Sequence, residues 1–204
     1  MRVGIDLDNT IACYDGVFHR VAVQRDLIPN DVATDKQAVR DFLRASGRND
    51  EWTELQGLVY GEAMCEAKPY KGVAEFFAKA SRNDSTIFVI SHRTRYPYRG
   101  PQYDLHTAAR NWLRLHGLMG STEAAIPEAN VFLEVWLDDK LQRIIDQHCD
   151  VFIDDLPELL LHSDFPNTVE RVCFDPANRC SDTGLPCAAD WHELTARWFG
   201  REDA

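Results

Sequence analysis

The chain has 204 residues, 45% hydrophobic and 27% charged, enough for one sizeable core with a modest insertion but not for two full domains. Its net charge of -11 disfavours a nucleic-acid backbone as partner, yet is compatible with a small phosphorylated ligand held by a local basic cluster and a metal. No run approaches the length of a membrane span and no signal peptide opens the chain, so the expectation is a cytoplasmic protein with no membrane partner.

In chain order, residues 3–5 form a short apolar run that leads directly into Asp6-Leu7-Asp8-Asn9-Thr10. Two carboxylates separated by one apolar residue repel each other and lose solvation when partly buried, so the pair needs a compensating cation or a chemical task. Residues 15–68 read as helices only: 16–26, 35–46 with Gly47 behind it, and 50 or 51 to about 66, before Pro69 breaks the chain. Residues 72–80 then carry Val73, Phe76, Phe77 and Ala80 at i, i+3, i+4 and i+7, the spacing of one helical face.

The apolar run 86–90 ends at Ser91. Leu105, Ala108, Ala109 and Trp112 repeat the helical spacing, and Gly117 supplies a stop. Residues 131–133 form a third apolar run ahead of Lys140, and Leu141, Ile144 and Ile145 make a short helical stripe. The run 151–153 ends at Asp154 and Asp155, with Pro157 suited to the first turn of a helix. A fifth run, 169–174, ends at Asp175. Short apolar strands alternating with amphipathic helices predict an α/β fold, a doubly wound parallel sheet covered on both faces. The helical stretch interrupts that alternation, so the expected organisation is a core of residues 1–15 and 69–204 with a small helical cap of residues 16–68.

In an open α/β sheet, ligands bind outside the carboxyl ends of the strands. Asp6 with Asp8, Ser91, and Asp154 with Asp155 all fall at such ends, and Lys140 lies fourteen residues before Asp154, near the start of the helix that feeds its strand. In this order the residues resemble the four motifs of the haloacid dehalogenase-like hydrolase superfamily. Asp6-Leu7-Asp8-Asn9-Thr10 matches DxDx[TV], Ser91 the Ser or Thr after a strand, Lys140 the basic residue, and Asp154-Asp155 the acidic pair. The stretch LDDK…VFIDDLPE is also similar to part of the small deoxyribonucleotidase branch.

The resemblance implies a phosphatase that works through an aspartyl phosphate, and the chemistry of the residues agrees with it. Asp6 is the expected nucleophile and Asp8 the acid and base that serves the leaving alcohol and then the water. A hard Mg²⁺ is expected among Asp6, Asp154, Asp155 and the backbone carbonyl of Asp8. Lys140 is expected to hold nucleophile and phosphate, and Ser91 to donate to a phosphoryl oxygen. Substrate contacts are expected from Thr10 and from His92 and Arg93, which begin the cationic loop SHRTRYPYRGPQY. Tyr14, Phe18 and Trp52 read as core packing before substrate contacts. The competing readings are 2-haloacid dehalogenation, phosphoryl transfer by a mutase, and a non-catalytic binding module on the same scaffold.

Six cysteines are scattered along the chain and are expected as free thiols. Cys173, Cys180 and Cys187 recur every seven residues with His192 beyond, but they lack the close pairing of a structural zinc site, and loop and strand thiols are the plainer reading.

Overall fold

The computed structural model describes residues 1–200; residues 201–204, placed at the end of the expected core, lie outside the described residues. The elements begin with β1 (Arg2–Ile5), β2 (Ala12–Cys13), α1 (Val17–Gln24), α2 (Lys36–Ala45) and α3 (Asn49–Tyr60). After a 3-10 turn (Glu62–Glu66) come β3 (Lys68–Pro69), α4 (Val73–Arg82), β4 (Thr86–His92) and α5 (Leu105–Leu115). Then follow β5 (Val131–Glu134), α6 (Leu137–Asp146), β6 (Val151–Asp154), α7 (Pro157–Leu160), β7 (Glu170–Phe174), β8 (Cys187–Ala188) and α8 (Trp191–Phe199).

The chain divides into two compact units, one of residues 1–12, 69–93 and 113–204 and one of residues 13–68 and 94–112. The first contains a sheet in the order β5-β4-β1-β6-β7-β8, with every pairing parallel. The chain winds outward from β1 through β4 to β5, then returns to the other side of β1 for β6, β7 and β8. This is the doubly wound α/β arrangement that the alternation predicts, and it puts a switch point between β1 and β6. β6 is buried throughout and β4 is buried at five of its seven positions, as a parallel sheet covered on both faces requires.

Packing explains the smallest residue of β1. Gly4 stands in register with Phe152 of β6, and a Cβ on Gly4 would lie 2.5 Å from the Phe152 ring and 2.9 Å from the Cys149 sulfur. Phe152 fills that notch within a cluster that includes Phe88, Ile90, Leu141, Ile144 and Phe165. In the same unit Phe76 of α4 meets the Trp191 ring of α8 at 4.9 Å. Neither β8 nor α8 stands out in the sequence, because β8 is two residues long and α8 follows a loop rich in turn residues.

The second unit is helical. Asp35 caps α2 by accepting from the Ala38 N–H at 3.0 Å. Tyr14, Phe18 and Trp52 are buried, with the Phe18 and Trp52 rings 5.3 Å apart, so these aromatics serve the core. The unit also takes residues 94–112, which the sequence reading assigned to the sheet domain. Close backbone approach explains the difference. A Cβ on Gly57 would lie 2.7 Å from Pro97 and one on Gly61 2.6 Å from Tyr103, while Arg99 pairs with Asp50 and Glu54. Two glycines of α3 and its C-terminus thus let the loop after β4 lie against that helix. Among the described residues, no helix is long and apolar enough to cross a membrane.

Candidate active site

The acids sit where the topology directs them. Asp6 continues β1, its N–H donating to the Ile153 carbonyl of β6 at 2.9 Å, and Asp154 closes β6 beside it. The chain then turns tightly: the Asn9 N–H donates to the Ala12 carbonyl and the Ile11 N–H to the Leu7 carbonyl. Asn9 adopts a positive φ of 58°, a conformation that Asn tolerates better than most residues. That turn presents Asp8 just beyond Asp6.

Carboxylate oxygens of Asp6, Asp154 and Asp155 all lie within 4.8 Å of one another. Lys140, reaching over from α6, donates to Asp6 at 2.6 Å and to Asp154 at 2.7 Å, and its Nζ lies 5.4 Å from the Phe152 ring centroid. Asp154 also accepts from the Leu156 N–H at 2.9 Å. Asp6, Asp154 and Lys140 are all buried. Burial pushes the Asp6 carboxyl up, Lys140 pulls it back, and the Asp154 and Asp8 carboxylates push it up again, to about 7. For Lys140, burial alone would lower the ammonium, but the two acids outweigh it and the group is held protonated. Three carboxylates against one ammonium leave a formal charge of -2, which a hard divalent cation with oxygen ligands suits.

The structure brings Ser91 to the same edge, buried at the penultimate position of β4. The Asp8 carboxylate lies outside the metal-compatible group and is instead engaged by the Arg93 guanidinium. Arg93 is thus turned inward, with its side chain only 3% exposed. His92 is exposed, and its Nε2 donates to the Val135 carbonyl at 3.0 Å, which ties the ring to the loop after β5.

Thr10 must be corrected. It is fully buried, its hydroxyl has no hydrogen-bond partner among the described residues, and its carbonyl accepts from the Trp191 indole at 3.0 Å. Its carbonyl ties α8 to the turn, and its side chain is interior rather than displayed to a substrate. A buried unsatisfied hydroxyl costs about 1–3 kcal/mol, so Thr10→Val is expected to melt at the same or a higher temperature with kcat/KM for any ester unchanged. A loss of more than about 1 kcal/mol in thermal or denaturant unfolding would show that the hydroxyl has a partner.

Among the described residues, the acids at the β1–β6 edge are the cluster with ligand atoms close enough to share a cation. Cys173 and Cys180 are buried free thiols, with burial pushing Cys173 well above the ordinary thiol range. The helical unit has its own cleft of about 420 Å³, lined in part by Glu62, Met64, Tyr103 and Asn111, but none of the acid cluster lines it.

No family model matches the chain, and no curated protein matches it. Solved structures do. A HAD family hydrolase from Deinococcus radiodurans R1, with bound phosphate and sodium, is 16% identical with a TM-score of 0.59, over 96% of this chain and 93% of that one. A HAD-superfamily hydrolase of subfamily IA, variant 1, from Geobacter sulfurreducens PCA is 14% identical with a TM-score of 0.59, covering 96% and 95%. A structure described as a dehalogenase is 11% identical with a TM-score of 0.57, covering 97% and 96%. Together with the strand order and the residues gathered at the β1–β6 edge, these likenesses show that the chain has the fold of the haloacid dehalogenase-like (HAD) superfamily hydrolases.

Proposed function

We propose that the protein is a Mg²⁺-dependent phosphomonoesterase acting on a small phosphorylated metabolite, a sugar phosphate or a nucleotide, through a phosphoryl-Asp6 intermediate. One observation carries this reading: ligand oxygens of Asp6, Asp154 and Asp155 lie within 4.8 Å of one another, the Lys140 ammonium bridges Asp6 and Asp154, and a second acid, Asp8, stands two residues past Asp6. In the first half-reaction an Asp6 oxygen bonds to phosphorus as the ester P–O bond breaks, and Asp8 gives its proton to the departing alcohol oxygen. In the second, Asp8 takes a proton from the water that attacks phosphorus, and Asp6 is released with inorganic phosphate. Lys140 keeps Asp6 oriented and compensates charge at the reacting group, while Ser91 donates to a phosphoryl oxygen.

Asp6, Asp154, Asp155 and the backbone carbonyl of Asp8 are the groups to hold Mg²⁺, which when bound would offset the charge of the acids and the phosphate. The dehalogenase among the structural neighbours marks the competing chemistry. Halide leaves without a proton, so halide displacement has no use for Asp8 and needs no cation at Asp154 and Asp155.

A phosphate-release screen over phosphorylated metabolites, run with Mg²⁺ and with chelator, separates the two. Chelation is expected to abolish release and Mg²⁺ to restore it, and Mg²⁺ at 100 times its Kd is expected to stabilise the fold by about 2.7 kcal/mol in thermal unfolding. Hydrolysis that survives thorough chelation, or halide release from a 2-haloacid with no phosphatase activity, would overturn the proposal.

A further inference from the structure

We infer that Arg93 is a positioning residue for proton transfer: its guanidinium holds the Asp8 carboxylate and so fixes the orientation in which that group meets the leaving oxygen. This rests on the phosphomonoesterase reading and assigns a residue to it. Exposure is the first support. The Arg93 side chain is 3% exposed, whereas those of Arg95 and Arg99 in the same stretch are 62% and 51% exposed. Burying a guanidinium is costly unless it is paired, and the Asp8 carboxylate supplies a partner through Oδ1.

Both ends of the pair are anchored by main chain. The Arg93 N–H donates to the Glu134 carbonyl at 2.7 Å, which extends the β4–β5 ladder one residue past the strand. Glu134 is itself held by Arg143 through its side chain at 2.8 Å. At the other end, the Ala12 N–H donates to the Leu7 carbonyl at 2.8 Å and closes the turn that carries Asp8. The separation of the two Cα positions is therefore set by the sheet and the turn, and the guanidinium spans it.

The consequence is geometric. Asp8 is 20% exposed in its side chain, so it is reachable from the site while Arg93 is not. Held in that orientation, the Asp8 carboxylate serves first the alcohol oxygen and then the attacking water. A free carboxylate at a turn would sample several rotamers, and holding the one that reaches the reacting atoms is the kind of gain that orientation supplies.

The experiment compares kcat/KM for an alkyl and an aryl phosphate in wild type, Arg93→Ala, Asp8→Asn and the double variant, all with Mg²⁺. Alkyl leaving groups need the proton and aryl ones do not, so Arg93→Ala is expected to lose about 10²-fold on the alkyl ester and far less on the aryl ester. Because Arg93 acts through Asp8, the double variant is expected to match Asp8→Asn alone. Added guanidinium is expected to restore alkyl activity to Arg93→Ala but not to the double variant. Equal losses on both esters, or additive losses in the double variant, would overturn the assignment in favour of phosphate binding or a structural role. If Arg93→Ala is not recovered folded, Arg93→Lys carries the test, with the same leaving-group pattern expected and a uniform loss overturning it. Failure of wild type to label Asp6 would bring down the phosphomonoesterase reading and this assignment together, whereas a labelled wild type with a uniform Arg93 effect removes only the latter.

Discussion

Asp6→Asn is expected to abolish turnover of every phosphate ester, whereas Asp8→Asn is expected to stall with phosphate on Asp6. The two residues are two positions apart, but Asp6 lies among Asp154, Asp155 and Lys140 while Asp8 faces Arg93. Asn at position 6 keeps the shape and removes the nucleophile, so no phosphoryl-enzyme forms. Asn at position 8 leaves the nucleophile and removes the proton carrier, a change typically worth about 10²–10⁴ in rate. An aryl phosphate needs little protonation on departure, so Asp8→Asn is expected to give a burst of aryl alcohol followed by slow hydrolysis of the trapped intermediate. Mass spectrometry of the peptide containing Asp6 checks this. A label on another residue, or the same behaviour of both variants towards aryl and alkyl esters, would show that the roles are exchanged or absent.

Lys140→Met is expected to produce the largest loss of stability of any substitution at the site. It leaves Asp6 and Asp154 buried and facing each other, and removing one partner of a buried ion pair typically costs about 3–5 kcal/mol. The pH dependence has a definite sign. The Asp6 carboxyl stands at about 7 in the fold against 3.8 ordinarily, so the folded state prefers the protonated form. Without metal, the contribution of Asp6 to stability falls as pH rises from near 4 to near 7 and is level above that. Removing Lys140 takes away a pull that lowers this value, so the loss continues to higher pH. The deficit of the variant is expected to be larger at pH 8 than at pH 6 in metal-free thermal unfolding. An equal deficit at both would show that the cost is packing, since the Lys140 side chain is buried and its Nζ lies 5.4 Å from the Phe152 ring centroid.

The sheet and the edge of charged groups were legible in the sequence because both rest on short-range pattern. Apolar runs of strand length ending in Asp6, Ser91 and Asp154 announce a buried parallel sheet and its carboxyl edge, and the structure places them there. What stayed hidden depends on contacts between segments distant in sequence. Arg93 was visible as a cation near the site, but its commitment to Asp8 comes from two strands that pair across more than eighty residues. One signal was available: Arg93 lies two residues past Ser91 as Asp8 lies two past Asp6, on strands that the fold sets side by side. The Thr10 side chain looked accessible because it ends an acidic motif, and only the docking of Trp191 shows it to be interior. Residues 94–112 looked like part of the sheet domain because their anchors, Gly57 and Gly61, belong to another part of the chain.

The notch at Gly4 ties the chemistry to the oily interior. Phe152 occupies it, Lys140 rests near the same ring, and two residues further along each strand stand Asp6 and Asp154. Because side chains alternate along a strand, positions 4 and 6, and 152 and 154, project to one side of the sheet. Glycine, ring, ammonium and paired acids therefore form a single column, and its levels are not free to drift separately in a lineage. A larger residue at position 4 requires a smaller one at 152, and that exchange lowers the floor on which Lys140 stands. The tolerance of the reacting end to sequence change is thus governed from beneath, by a position that has no side chain of its own.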